Sequence, residues 1–263
     1  HWDCRNIADP TISKTSMKLS GAFVPMSDPR SSLIVALDVP DRQAALRAVK
    51  QLSGHVGCFK IGLELFAREG PQLVREIRDH GEKIFLDLKL HDIPNTVRGA
   101  VRSACQLGIH MLTLHASGGT SMLSAANEEA HSSNSPPLLL AVTALTSLSE
   151  NDMQELGMAG SIEQWVERLA DMAYRSGIRG IVASGKELPL LRRRFQNSLQ
   201  IVVPGIRPAG MPQQDQSRTV TPAEAIRAGA DYIVIGRPIL RAPEPAKAAD
   251  SILREIQLGV GPN

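Results

Sequence analysis

Eight short apolar runs recur along this chain, most of them followed by a longer stretch of different rhythm. The runs are LIVAL (33–37), CFKIG (58–62), KIFLDL (83–88), MLTLHA (111–116), LLLAVT (138–143), GIVAS (180–184), QIVVPG (200–205) and YIVIG (232–236). Each has the length and β-branched content of a buried strand. Between them, DRQAALRAVKQL, GPQLVREIRDHG, NTVRGAVRSACQLG, SIEQWVERLADMAYRSG and TPAEAIRAGA space their apolar residues as helices do. Asp41 favours the start of the first helix, and Gly81 is a stop for the second. Thr221, Pro222 and Glu224 have the spacing of a capping box with proline at the first helical position. Eight strand–helix units in 263 residues predict one α/β domain, a (β/α)8 TIM barrel. An open doubly wound sheet is the alternative. It usually carries a glycine-rich turn after its first strand, where this chain reads ALDVPD.

The barrel is expected over residues 31–257, between an N-terminal extension (1–30) and a short C-terminal tail (258–263). The extension lacks helical or strand period and the pattern of a signal peptide. It is expected to be poorly ordered, with Met17 and Met26 as possible starts. Lys and Arg number 29 against 27 Asp and Glu, so the net charge of +2 makes no case for nucleic acid or an anionic membrane. An anionic ligand therefore needs a local site. Cys4, Cys58 and Cys105 form neither a metal-spaced cluster nor a disulfide framework, and the latter two read as small core residues. No apolar run approaches the ~20 residues of a membrane span. The expected compartment is the cytoplasm.

In such barrels the chemistry sits at the C-terminal strand ends and in the loops that follow. Here those positions hold Asp38, Lys60, Asp87 with Lys89, His115, Thr146 with Ser147, Ser184, Gly205 with Arg207, and Gly236 with Arg237. In FLDLKLHDIPNT (85–96), strand alternation puts Asp87 and Lys89 on one face with Phe85, while Leu86 and Leu88 face the helices. Lys60 ends the neighbouring strand. Alternating charges at close range neutralise one another and can stay ionised in a partly dry site. Asp92 stands further on and could simply help start a helix. His115 reads as a structural hydrogen-bonding group, His91 as packing on the opposite face, and Glu64 as surface or interface rim. Trp165, Met158 and Met172 fit a helix core.

IGRP after the last strand suits an anion. Gly236 allows close backbone approach and an N–H contact, and Arg237 can make a bidentate one. RPAGMPQQDQSR (207–218) is long and polar for a connection at this position, and is expected to be a lid over the site.

D-x-K-x-x-D followed by I-P-N-T resembles the orotidine 5′-monophosphate decarboxylase family. So do VALDVPD, FKIGLELF, LHASGG, AVTALTS, VVPGIRP and YIVIGRPI, in that order along nearly the whole chain except the extension. The resemblance implies conversion of orotidine 5′-monophosphate to UMP and CO₂ without a cofactor or metal, in a homodimer with shared active sites. It implies that Lys60, Asp87, Lys89 and Asp92 form a charged tetrad, with Lys89 the proton donor to C6. Asp92, followed by Ile93 and Thr96, would reach into the partner's site. Asp38 and Lys60 would bind the ribose hydroxyls, and Thr146 with Ser147 would lie near the pyrimidine's polar edge. Gln216, Gly236 and Arg237 would grip the phosphate, with Arg207 and Pro204 also in the ligand-binding set. Two other readings stand beside this one: a metal-dependent sugar-phosphate decarboxylase or aldolase on the same barrel, and a barrel that binds a nucleotide without catalysis.

Overall fold

A computed structural model of the chain describes residues 28–209 and 220–260. The N-terminal extension up to residue 27, and the segment 210–219 that carries Gln216, lie outside the described residues. Strands and helices alternate as β1 (Leu33–Ala36), α1 (Arg42–Leu52), β2 (Cys58–Gly62), α2 (Leu63–Asp79), β3 (Ile84–Leu90), α3 (Pro94–Cys105), β4 (Met111–His115), α4 (Gly119–His131) and β5 (Leu138–Val142). They continue as α5 (Glu150–Glu155), α6 (Ile162–Arg175), β6 (Gly180–Val182), α7 (Leu188–Phe195), β7 (Gln200–Val203), α8 (Pro222–Arg227), β8 (Tyr232–Ile235), α9 (Arg237–Leu240) and α10 (Pro245–Gly259). All eight strands are parallel, each paired with the next, and β1 closes on β8 through Leu33↔Ile233 and Ile34↔Val234. This is the closed (β/α)8 barrel that the rhythm of the sequence predicts. The expected barrel limit at residue 257 falls inside α10.

Local chemistry sets the helix ends. The Asp41 carboxylate accepts the Ala44 N–H at 2.8 Å and starts α1. At α8 the Glu224 N–H donates to Thr221 Oγ1, and the Glu224 carboxylate accepts the Thr221 N–H. Helix α2 departs from its expected start at Gly70. It begins at Leu63, directly after β2, and kinks at Gly70, whose φ of 62° suits glycine ahead of Pro71.

Strand alternation divides the apolar residues into two bodies. Ile34, Cys58, Phe85, Met111, Leu140, Val202 and Val234 pack together inside the barrel. Phe59, Ile61, Ile84, Leu86, Leu112 and Leu114 face outward into the larger core against the helices. Each large side chain so buried contributes roughly 1.5–3 kcal/mol. The interior plug is shallow, and this positions the site: on β2, β3 and β4 the next inward residue above Cys58, Phe85 and Met111 is polar. Those residues are Lys60, Asp87 and Thr113. Cys58 is a core residue as expected, whereas Cys105 is only partly buried against the outer core.

Candidate active site

Lys60, Asp87 and Lys89 converge at the C-terminal end of the barrel. Lys89 Nζ donates to Asp87 Oδ1 at 2.8 Å, and Lys60 Nζ lies 3.3 Å from Asp87 Oδ2. Asp87 keeps 12% of its side-chain surface, Lys60 14% and Lys89 30%. The strand register Lys60↔Phe85 and Gly62↔Asp87 brings the chains together at this height. A Cβ at Gly62 would stand 3.3 Å from Lys60 Nζ, so the glycine leaves the ammonium its room. Burial is the strongest influence on the Asp87 carboxyl and pushes it up. The charges of Lys60 and then Lys89, with hydrogen bonds from Lys89 and Thr113, outweigh burial and hold it below the ordinary carboxylate range. Two ammonium groups and one carboxylate leave a formal local charge of +1, in a chain whose total is only +2. Buried ion pairs seldom improve on apolar packing for stability, so this cluster is better explained by ligand chemistry.

Three hollows meet at these charges. One, of about 150 Å³, runs from Lys60, Asp87 and Lys89 along an apolar wall that includes Val142, Ala144, Val182 and Val202, with Thr146 at its edge. The second, of about 200 Å³, is bounded by Asp38, Lys60, Asp87, Pro204, Arg207, Gly236 and Arg237. The third, of about 240 Å³, links Asp38 to Lys89 past Glu64. A larger hollow of about 810 Å³ lies along α1, beside Leu46, Lys50 and His80, and includes none of the strand-end charges. The first is walled mainly by apolar side chains, whereas the second carries Arg207 and Arg237 and so forms an end that suits an anion. At the anion end, Arg207 Nε is buried without a hydrogen-bond partner among the described residues, an unused donor of the kind an anion satisfies. A Cβ at Gly236 would stand 3.0 Å from Asp38 Oδ2, so the glycine leaves that carboxylate its room.

The structure thus brings together Asp38, Lys60, Asp87, Lys89, Thr146, Pro204, Arg207, Gly236 and Arg237. Ser147 is exposed and lines none of the three hollows. Asp92, Ile93 and Thr96 are exposed, Ile93 at 67%, and the Asp92 carboxylate accepts the Ile93 N–H at 2.6 Å. None of the three lines the hollows around Lys60, Asp87 and Lys89. His91 is also exposed, and its ring lies 5.4 Å from the half-buried His115 ring. Burial, His91 and Lys89 hold the His115 imidazole below its usual value. Thr113 is the residue that sequence reasoning missed. It is fully buried, and its hydroxyl donates to Asp87 Oδ1 at 2.9 Å. Its signal was a hydroxyl two residues after Met111, on the inward face of an apolar strand. Among the described residues no three His, Cys, Asp or Glu side chains gather as a metal site requires, and no helix is long and apolar enough to cross a membrane.

A closed parallel barrel with a Lys–Asp–Lys group at the strand ends, beside an arginine-lined hollow, has the architecture of a barrel enzyme. The family model described as "Orotidine 5'-phosphate decarboxylase / HUMPS family" matches residues 31–252, and the chain belongs to this family. A curated relative from Moorella thermoacetica named orotidine 5'-phosphate decarboxylase is 47% identical over 235 residues, covering 87% of this chain and 93% of its own. One of the same name from Syntrophotalea carbinolica is 47% identical over 232 residues, covering 86% and 95%. A crystal structure of orotidine 5'-phosphate decarboxylase from Lactobacillus acidophilus superposes with a TM-score of 0.77 at 36% identity, over 85% of this chain and 98% of that one.

Proposed function

We propose that this chain decarboxylates orotidine 5′-monophosphate to UMP and CO₂, the last step of pyrimidine nucleotide synthesis. The observation that carries the reading is the buried Lys60–Asp87–Lys89 group where a ring-sized hollow meets an arginine-lined one. When the bond from C6 to the carboxyl group breaks, its electron pair stays in an sp² orbital at C6 that the ring delocalises poorly. The Lys89 ammonium stabilises that pair by its charge and then transfers a proton to C6, forming the C6–H bond of UMP. Lys89 is left as an amine and regains its proton from water. Asp87 lies beside the substrate carboxylate, and their repulsion disappears as neutral CO₂ forms. Lys60 holds Asp87 from the other side and, with Asp38, binds the ribose hydroxyls. Thr146 borders the pyrimidine edge.

Arg207, Gly236, Arg237 and, from the segment 210–219, Gln216 hold the phosphate. Binding energy from the phosphate end offsets the cost of placing a carboxylate against Asp87. The exposed Asp92, Ile93 and Thr96 complete the site of a second copy, so the working form is a homodimer. The test is to add orotidine 5′-monophosphate and follow the pyrimidine absorbance with and without EDTA. Turnover indifferent to EDTA is expected. Turnover abolished by EDTA and restored by Mg²⁺ would favour the metal-dependent lyase.

A further inference from the structure

We propose that Thr113 is a positioning residue for this reaction, its hydroxyl clamping the Lys89 backbone to the Asp87 carboxylate so that the proton donor stands at a fixed distance. The inference rests on the decarboxylase reading for its consequence and on backbone geometry for its origin. Strands β3 and β4 pair regularly at Phe85↔Met111 and Leu86↔Leu112, and next at Leu90↔Leu114. Four residues of β3 are therefore spanned by two of β4. The excess is a bulge that holds Asp87 and Lys89, and bulges re-aim side chains beside active sites. Lys89 itself has φ of 50°, one of two positive values outside glycine among the described residues. A long side chain takes that conformation only where its surroundings impose it.

Thr113 supplies that constraint. The Lys89 N–H turns to a side chain of β4 and not to a backbone carbonyl. It donates to Thr113 Oγ1 at 2.9 Å. The same hydroxyl donates its own proton to Asp87 Oδ1 at 2.9 Å, the oxygen that also accepts from Lys89 Nζ at 2.8 Å. One buried hydroxyl thus closes a ring through the backbone and side chain of Lys89 and the carboxylate of Asp87. Thr113 lines none of the three hollows, so it acts through its neighbours and not on the ligand. Its own neighbours on β4, Leu112 and Leu114, are apolar, and a hydroxyl in this setting is costly unless it is used.

The decisive comparison is Thr113→Val, which keeps the shape and removes the hydroxyl, against Thr113→Ser, which keeps the hydroxyl. Thr113→Val is expected to lower kcat roughly 10- to 100-fold, the worth of one hydrogen bond to a charged group. UMP affinity should stay within about threefold, since the ligand contacts are untouched. Asp87 is faced by Lys60 from β2, Lys89 on its own strand and Thr113 from β4, with His115 further along β4. Losing one donor, its carboxyl should titrate at higher pH and shift the acid limb of kcat upward. Thr113→Ser should match the wild type in all three readouts. Wild-type kcat in Thr113→Val, or an equal loss in Thr113→Ser, overturns the proposal. Should Thr113→Val not fold, Thr113→Ala carries the same expectation, and unchanged kcat there overturns it. If the wild type itself does not decarboxylate the substrate, the functional reading fails. The Asp87 titration, followed by carboxyl NMR in wild type and variant, then decides the clamp by itself.

Discussion

Asp87 and Asp92 are five positions apart in one segment, yet they live in opposite environments. Asp87 is buried, with both oxygens engaged by two ammonium groups and a threonine hydroxyl. Asp92 is exposed, and its carboxylate accepts the N–H of the next residue. The first is organised by the barrel core, through the registers of β2, β3 and β4. The second sits on the loop entering α3, beside an isoleucine that leaves two thirds of its surface to solvent. One chain therefore builds most of a site to high order and leaves a carboxylate and an apolar side chain uncommitted at its edge. The proposed shared site rests on that division.

The comparison can be broken most forcefully at Lys89. Lys89→Ala should reduce kcat at least about 10³-fold, combining loss of the proton donor with loss of charge stabilisation. UMP binding should persist, and retained turnover would remove Lys89 from its role. Stability sharpens the contrast. Asp87→Ala leaves Lys60 and Lys89 facing each other without a counter-charge and should destabilise the fold by about 3–5 kcal/mol in urea unfolding. Asp92→Ala should cost clearly less than Asp87→Ala, and equal losses in the two variants would remove the contrast between the two carboxylates. Arg237→Ala, at the far end of the cleft, should lower kcat/KM roughly 10- to 100-fold while leaving the Lys60–Asp87–Lys89 group intact.

The smallest effect is in acid. The Asp87 carboxyl is held below its ordinary 3.8, so its contribution to stability is complete above that value. That contribution is lost as pH falls through the lower value of the folded state. Asp87→Asn should therefore show a shallower loss of stability than wild type below about pH 3.8, read as urea midpoints along a pH series.

The barrel was legible because its signals are local and repeated. Alternation in CFKIG and KIFLDL places Lys60 and Asp87 inward without any knowledge of neighbours. Capping at Asp41 and at Thr221 with Glu224 was equally local. What escaped depended on pairing between strands. The bulge opposite Thr113 and the positive φ of Lys89 arise from a register shift between β3 and β4, and no residue in either strand announces it. Thr146 and Ser147 looked equivalent as adjacent hydroxyls, yet only the former borders a hollow, a matter of loop geometry after β5. For Asp92, Ile93 and Thr96, roles came only from family resemblance. A single chain shows their exposure and nothing of what covers them.

The most direct test of the shared site is to mix two inactive homodimers, Lys89→Ala and Asp92→Ala, and allow their subunits to exchange. Each mixed dimer would hold one doubly defective site and one intact site. With random pairing, activity should rise to about a quarter of that of the wild type. No recovery, with exchange verified by native mass spectrometry, would contradict a site assembled from one chain's buried charges and another chain's exposed carboxylate.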